Sequence, residues 1–390
     1  MKPDNLPERG EIIARLYEHW QPVPSHETVK LDAACGRVLA ADLESKATLP
    51  VCRSAGPDGI AVRVSDFENG VPDTKGWKKG IDFCMADTGD DFDDPFDTVI
   101  PIEAVSFLDH GGVELRLDKP LERGQGVSLR GSRLEEGELL LEKGAVLTPW
   151  NLNLLASGGY GEVPVIVKPK VIYIPTGSEL IDPGSLPARG ENIESNGLMI
   201  QSLLESWGAQ VVRYPICKDI QCNLEDMLQK ALLEGDIVLI NGGSSKGSED
   251  FNTRMIRSRS TYFQHGARSV PGFPVGAGMV EGKPVINLPG PPMAAFSVVH
   301  WCAKALVFRG LGIPVPMPKT TEAILQEEMK APEKLDFYQR LYLKESSQGI
   351  LAFPMKQERG ARCMALCNGL IVLRAGSYYE KGQRILVEWL

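Results

Sequence analysis

The stretch Asp236-Ile-Val-Leu-Ile-Asn-Gly-Gly-Ser-Ser-Lys-Gly-Ser-Glu-Asp250 is the strongest indication of the fold class of this chain. An apolar run typical of a buried strand leads directly into a turn rich in glycine, hydroxyl groups and charge. Glycine lets the backbone turn sharply, so the N–H groups of such a turn can approach an anion closely. Ser244, Ser245 and Lys246 would add side-chain donors, and a divalent cation could bind at Asp250. The same pattern also fits an ordinary strand-to-helix loop that binds nothing.

Strand and helix patterns alternate after Pro169. The expected strands lie at 170–175, 209–215, 236–241 and 284–288, and the expected helices at 194–207, 222–234, 250–258 and 291–309. This alternation predicts an α/β domain with a mostly parallel sheet and helices on both faces. Ligands of such sheets bind beyond the carboxyl ends of the strands. Thr176-Gly-Ser-Glu179, the glycine-rich turn and Leu288-Pro-Gly-Pro-Pro292 each follow a strand, so we expect one shared site for a phosphorylated ligand and a metal.

The regions before and after this α/β segment have different sequence patterns. Residues 6–20 have the apolar spacing of an amphipathic helix, and we expect a second short helix near 26–35. Short β-type runs separated by turn residues predict a β-rich domain over 46–136. The proline-rich segment Ile313–Pro318 is a stiff break, and the short strands after it predict a small β-barrel or sandwich.

Composition excludes several classes of protein. The chain has 390 residues, 43% of them hydrophobic, and its net charge is −9, which is unfavourable for a nucleic-acid footprint or attraction to a membrane surface. No apolar run approaches the ~20 residues that span a bilayer, and the start of the sequence lacks a secretory signal, so we expect a cytoplasmic protein. The five histidines are isolated and the eight cysteines have no CxxC spacing, which argues against a histidine mechanism or a thiolate metal site.

Short motifs along the whole chain resemble those of the molybdopterin molybdenumtransferases, the family that includes bacterial MoeA and the E domain of gephyrin. The similar segments are Ser54–Arg63 (SAMDGYA in the family), Thr88-Gly89 with Asp97–Glu103 (TGAP…DAVVPxE), Leu147–Pro149 with Leu155–Ser157, Thr176–Glu179 (TGDE), Ile193–Asn196 (YDSN), Gly242–Asp250 (GGVSVGxxD) and Leu288–Pro292 (LPGNP).

The resemblance implies a four-part subunit in a homodimer. Its parts would be a discontinuous α/β linking domain (1–45 and 137–167), an inserted β domain (46–136), a MogA-like α/β domain (168–313) and a C-terminal β-barrel (314–390). It also implies that the protein inserts molybdate into adenylylated molybdopterin and releases AMP with the help of Mg²⁺. The cleft would lie between the α/β and C-terminal domains, and the β domain of the other subunit would close it.

Carried over residue by residue, the resemblance implies catalytic acids and substrate-binding residues. The catalytic acids would be Asp58, Glu179, Asp219 and Asp250, of which Glu179 and Asp250 would hold Mg²⁺. The substrate-binding residues would be Thr88, Thr176, Gly177, Asn196, Gly242, Gly243, Ser244, Ser245, Pro289, Gly290 and Arg340. Carboxylates with Mg²⁺, together with hydroxyl and amide donors, suit the cleavage of a phosphoanhydride.

The chain departs from the family pattern in its cleft. The KPGKP segment of the family reads Val270-Pro-Gly-Phe-Pro274 here, so two lysines are replaced by apolar residues. Lys246, Arg268, Arg359 and Arg362 add positive charge near the altered segments, and we expect them to rebuild the oxyanion site, with Lys246 and Arg359 binding substrate. Two alternatives stay open: a non-catalytic paralogue that binds molybdopterin or an oxyanion as a carrier, scaffold or sensor, and a relative that handles tungstate.

Overall fold

The computed structural model describes residues 6–218, 221–242, 251–355 and 360–390. Its contacts divide the chain into two compact units. One consists of the described parts of Met1–Ser25 and Val167–Leu390, and the other of His26–Ile166. Among the described helices, none combines the length and apolar composition that crossing a membrane requires. The finer division into four domains stays a prediction.

The helices of the described residues are α1 (Arg9–His19), α2 (Pro149–Ser157), α3 (Asn196–Ser206), α4 (Gln221–Glu234), α5 (Phe251–Arg259), α6 (Pro292–Val298), α7 (Lys304–Gly310) and α8 (Gly360–Leu366). The strands of the His26–Ile166 unit are β1 (His26–Lys30), β2 (Leu43–Glu44), β3 (Ser54–Ala55), β4 (Gly59–Val62), β5 (Cys84–Ala86), β6 (Thr98–Pro101), β7 (Val105–Phe107), β8 (Val113–Leu115), β9 (Val127–Ser128), β10 (Leu139–Leu141) and β11 (Glu162–Ile166). The strands of the larger unit are β12 (Lys170–Pro175), β13 (Leu180–Ile181), β14 (Asn192–Ile193), β15 (Gln210–Arg213), β16 (Ile237–Asn241), β17 (Ser260–His265), β18 (Ser269–Val270), β19 (Gly276–Val280), β20 (Lys283–Leu288), β21 (Thr320–Leu325), β22 (Met329–Lys330), β23 (Asp336–Ser346), β24 (Gly349–Pro354), β25 (Gly369–Leu373), β26 (Tyr378–Tyr379) and β27 (Arg384–Trp389).

A six-stranded sheet in the order β15-β12-β16-β20-β19-β17 forms the centre of the larger unit. Its first four strands are parallel, which confirms the predicted mostly parallel α/β sheet. Strands β19 and β17 add an antiparallel edge that the sequence pattern did not predict. The glycines of β19 and the polar residues of β17 hide the alternation by which such strands are recognised.

Burial explains why the central strands form where they do. All five residues of β16 are buried, as expected for a strand with both faces covered. On α4, the buried residues Leu224, Leu228, Ala231 and Leu232 repeat at helical spacing and form one apolar stripe. This stripe packs in one core with residues of β12 and β16, so the strand ends beyond that core are held in fixed positions.

The C-terminal part is a closed β-barrel. Strands β23, β24, β21, β27 and β25 pair in that order, and β25 pairs back to β23. The closure leaves no free edge among these five strands, and their inward-facing apolar residues form one core. The sequence predicted either a small barrel or a sandwich, and the pairing of β23 with β25 shows that this part is a barrel.

The His26–Ile166 unit is rich in short strands, as the sequence predicts. The expected helix near 26–35 is wrong, however. His26–Lys30 is a strand that pairs antiparallel with Glu162–Ile166, and only Leu31–Ala33 forms a single 3₁₀ turn. A partner more than 130 residues away decided the conformation of this segment, and such a partner leaves no local signal in the sequence.

A buried carboxylate joins the barrel to the rest of the larger unit. Asp336, at the start of β23, has only 2% of its side chain exposed, and its oxygens lie 3.7 Å from Arg9, 4.0 Å from Arg268 and 3.8 Å from Arg374. The backbone N–H of Ala375 donates to the same carboxylate. Because β18 also pairs with β23, the N-terminal helix, the α/β part and the barrel meet at this point.

We expect Asp336→Ala to destabilise this junction. Removing one partner of a buried ion pair costs roughly 3–5 kcal/mol, and partial exposure of the arginines reduces this to about 2 kcal/mol. Scanning calorimetry should therefore show a melting temperature lower by roughly 4–8 °C. Arg374→Ala is the control, because that side chain is 71% exposed and should change the melting temperature little. Equal melting of both variants and the parent would contradict the assignment.

Candidate functional site

Three adjacent parallel strands end on one side of a pocket of about 400 Å³. Thr176 follows β12, Gly242 follows β16 and Gly290 follows β20 by two residues, and all three line the pocket. Glu179 and Asn196 line it as well. The structure therefore brings together five of the residues that the sequence singled out. They meet because the carboxyl ends of parallel neighbours lie at the same edge of a sheet.

Asn241 is the centre of the hydrogen-bond network beneath this pocket. Its Oδ1 accepts from the hydroxyl of Tyr173 at 2.8 Å and from Nδ2 of Asn196 at 2.8 Å. Its own Nδ2 donates to the carbonyl of Pro289 at 2.8 Å. One buried amide thus links β12, β16, the segment after β20 and the start of α3. Such a fully used polar group makes the arrangement of the strand ends rigid.

A buried acid completes the network. Glu194 Oε1 lies 2.9 Å from the Tyr173 hydroxyl and accepts from the backbone N–H of Gly197 at 2.8 Å, in the first turn of α3. Burial raises the pKa of the Tyr173 phenol, and the neighbouring Glu194 carboxylate raises it further. The phenol consequently stays protonated, and its single proton is shared between Glu194 Oε1 and Asn241 Oδ1. A carboxylate at a helix N-terminus also interacts favourably with the helix dipole.

The hydroxyl of Thr176 is held from two sides. Its oxygen lies 3.3 Å from the carbonyl oxygen of Asn241, to which it donates, and it accepts from Nδ2 of Asn252 at 3.0 Å. Asn252 donates to the carbonyl of Gly242 as well, at 3.1 Å. Thr176 is 3% exposed, so in this state its proton points into the protein. Binding a phosphate through this hydroxyl requires the proton to turn towards the pocket.

Glu179 stands on a tight turn at the rim. Gly177 has a φ of +152°, and a Cβ added there would lie 2.9 Å from both carboxylate oxygens of Glu179. The carboxylate therefore folds back over the glycine, and Glu179 as a whole is exposed. The missing side chain of Gly177 makes room for the acid at the edge of the pocket.

Comparisons with known proteins agree with this geometry. Residues 9–159 match the MoeA N-terminal region (domain I and II), and residues 172–307 match the probable molybdopterin binding domain. Molybdopterin molybdenumtransferase 2 of Mycobacterium tuberculosis is 26% identical over 394 residues, covering 94% of each chain. The molybdopterin molybdenumtransferase of Staphylococcus aureus is 26% identical over 386 residues, covering 94% of this chain and 91% of its own. The crystal structure of the molybdopterin biosynthesis moeA protein from Pyrococcus horikoshii superposes with a TM-score of 0.78 at 25% identity, covering 99% of this chain and all of that one.

This chain belongs to the molybdopterin molybdenumtransferase family.

Several of the predicted site residues lie outside the described part of this chain. They are Asp219, Gly243, Ser244, Ser245, Lys246, Asp250 and Arg359. Three more, Gly177, Pro289 and Arg340, are described but do not line the pocket. Pro289 is buried beneath the pocket and contributes its carbonyl to Asn241. Arg340 is on β23 with 8% exposure and does not line the pocket.

The His26–Ile166 unit contains the other two predicted site residues, Asp58 and Thr88. Thr88 donates to Asp58 Oδ1 twice, from its hydroxyl at 2.7 Å and from its backbone N–H at 2.6 Å. Both bonds lower the pKa of Asp58 below its ordinary value of 3.8, and the bond from the hydroxyl has the larger effect on the pKa. The structure thus brings together a donor residue and an acceptor residue that are 30 positions apart.

The sequence missed four polar residues around the pocket of this family member. Asn241, Tyr173 and Glu194 form the network beneath it, and Asn252 orients Thr176. The available signal was a polar residue at the very end of an apolar strand, as Asn241 is. Tyr173 looked like an ordinary strand residue, since its partner acid is 21 positions away.

We expect Thr88→Val to raise the pKa of Asp58 towards its ordinary value, because the stronger of the two bonds is lost. A carboxyl with a lowered pKa contributes stability above its unfolded pKa, and that contribution disappears as the pH falls through the folded pKa. Carbon-detected NMR titration of Asp58 measures the shift. Thr88→Ser keeps the hydroxyl and should leave the pKa lowered. An identical titration in the Val and Ser variants would refute the assignment.

We expect Gly242→Ala to distort the pocket edge. Gly242 has a φ of +128°, and a Cβ there would lie 2.1 Å from the backbone oxygen of Thr176. Clash and strain together cost about 3 kcal/mol, or roughly 6–12 °C in melting temperature by scanning calorimetry. Gly290→Ala is the matched control, since no atom lies within 4 Å of its Cβ position. Equal melting temperatures for the two variants would contradict this account.

Proposed function

We propose that this protein inserts molybdate into adenylylated molybdopterin with release of AMP, as a molybdopterin molybdenumtransferase in molybdenum cofactor biosynthesis. The observation that carries the proposal is the pocket at the ends of β12, β16 and β20, which lies in the segment matching a molybdopterin binding domain. The relatives that match nearly the whole chain are named for this transfer. The pocket volume of about 400 Å³ is in the range of small-molecule sites.

The residues around the pocket suit the handling of a phosphoanhydride. Gly242 follows β16 at the pocket, and the glycine-rich sequence after it, with Lys246, would supply amide and ammonium donors for the phosphates. Glu179 supplies a carboxylate at the rim. Asn241, held by Tyr173 and the Pro289 carbonyl, keeps the strand ends at a fixed distance, so the bound groups need little reorganisation.

The proposal includes a Mg²⁺ ion that is shared with substrate. Within the described ranges, no three His, Cys, Asp or Glu side chains form a group that could hold a metal by themselves. Mg²⁺ is usually held by one or two carboxylates together with substrate phosphates and water, and the carboxylates proposed here are those of Glu179 and of Asp250, which lies outside the described residues. When bound, the ion would neutralise charge at the phosphates.

The proposal also includes features that rest on the sequence resemblance. They are a homodimer with a shared cleft, the contribution of Asp58 to that cleft, Mg²⁺ dependence, Arg340 and Arg359 as oxyanion ligands, and a cytoplasmic location. The two bonds from Thr88 hold the Asp58 carboxylate in one orientation, which supports its use as a binding group.

A second candidate is a protein that binds molybdopterin without turnover. The observation in its favour is the loss of two cleft lysines, replaced by Val270 and Phe273. Val270 pairs with Phe337 of the barrel, so this segment is used for packing between the α/β part and the barrel. Binding of adenylylated molybdopterin without any AMP release by the parent protein would favour this candidate.

We expect Glu179→Gln to slow AMP release about 100-fold, equivalent to about 2.7 kcal/mol of barrier, because the rim loses its negative charge while its shape is kept. A single-turnover assay with adenylylated molybdopterin, molybdate and Mg²⁺ measures this by chromatography of AMP. The matched control is Glu205→Gln, on the exposed side of α3, which should react at the parent rate. Parent-like AMP release by Glu179→Gln would remove Glu179 from the mechanism.

A further inference from the structure

The turn that carries Glu179 has three consecutive backbone carbonyls, and each of them has a donor. The carbonyl of Glu179 itself accepts from the backbone N–H of Asn192 at 2.9 Å. The carbonyls on either side, of Ser178 and Leu180, both accept from the ammonium of Lys218, at 3.2 and 3.0 Å. One lysine therefore bridges the main chain across the residue whose carboxylate stands at the pocket rim.

The backbone next to Lys218 is fixed to the same strand end. The preceding residue, Cys217, donates its N–H to the carbonyl of Pro175 at 2.8 Å, and its own carbonyl accepts from the N–H of Gly177 at 3.0 Å. The lysine thus starts from one side of the Thr176–Glu179 segment and reaches over to the other side. The turn is clamped between this ammonium and the β13–β14 pairing that contains Asn192.

Among the described residues, the Lys218 ammonium interacts with backbone carbonyls and not with a carboxylate. Within the described part of the chain, Lys218 has no carboxylate within 4 Å, and its bonds go to the two carbonyls. An ammonium is a compact charge with three donors, so it can hold two carbonyls at once and still meet water. The positive charge offsets the negative ends of the Ser178 and Leu180 carbonyl dipoles.

We propose that Lys218 is a positioning residue that holds the Glu179 turn, and so sets where the Glu179 carboxylate lies for metal and phosphate binding. The proposal rests on the proposed function in so far as Glu179 takes part in the reaction. Lys218 touches the main chain of the turn, and it acts on the reaction only through Glu179. The folded-back position of the carboxylate over Gly177 depends on the main chain that Lys218 holds.

Hydrogen–deuterium exchange tests the anchoring without any need for activity. Lys218→Met removes the donors and keeps the length of the side chain, so amides in the peptide 177–194 should exchange about tenfold faster. Lys218→Arg keeps a donor fork and should stay close to the parent. The control Lys230→Met removes an exposed lysine on α4, 3.7 Å from Glu234, and should leave the exchange of this peptide unchanged. Parent-like protection in Lys218→Met would overturn the proposal.

Metal binding and kinetics then test the positioning. We expect Lys218→Met to weaken Mn²⁺ binding about tenfold in calorimetry, to lower kcat for AMP release about tenfold and to leave KM within twofold, with recovery in Lys218→Arg. A looser turn with parent-like kcat and Mn²⁺ affinity would overturn the positioning role. A looser turn together with weaker Mn²⁺ binding, in a parent that releases no AMP, would support Lys218 and contradict the proposed function instead.

Discussion

The Asn241 amide is the interaction on which the pocket depends. Strand pairing brings the ends of β12, β16 and β20 side by side, but pairing stops where the strands stop, and the backbone groups beyond it need other partners. The Asn241 side chain donates to the backbone carbonyl of Pro289, and its oxygen accepts from the side chains of Tyr173 and Asn196. A buried amide with all these partners fixes a geometry that an apolar residue would leave loose.

The pocket and the rest of the fold are connected through this amide. The α/β core covers the strands from one face with α4, and α3 begins at Asn196, directly above the network. Glu194 caps that helix and contacts Tyr173, so the start of the helix and the end of β12 are held by the same carboxylate. One hydrogen-bond network thus connects the start of α3, the ends of the strands and the pocket.

The central strands and the place where their ends meet could be predicted from the sequence, for physical reasons. The run Ile237–Ile240 is apolar, so the strand followed from its local pattern, and the meeting of the strand ends followed from the rule for parallel sheets. The segment 26–35 was predicted wrongly because its strand partner is remote. Tyr173, Glu194 and Lys218 were missed because their importance arises from partners in other segments, which no local pattern reveals.

We propose that adenylylated molybdopterin binds at the ends of β12, β16 and β20. A crystal structure of the protein with AMP and molybdate would show where the nucleotide binds. We expect the phosphate in the pocket lined by Thr176, Glu179 and Gly290, with the Asn241 bonds unchanged. Density for AMP at another place, with this pocket holding only water, would contradict it.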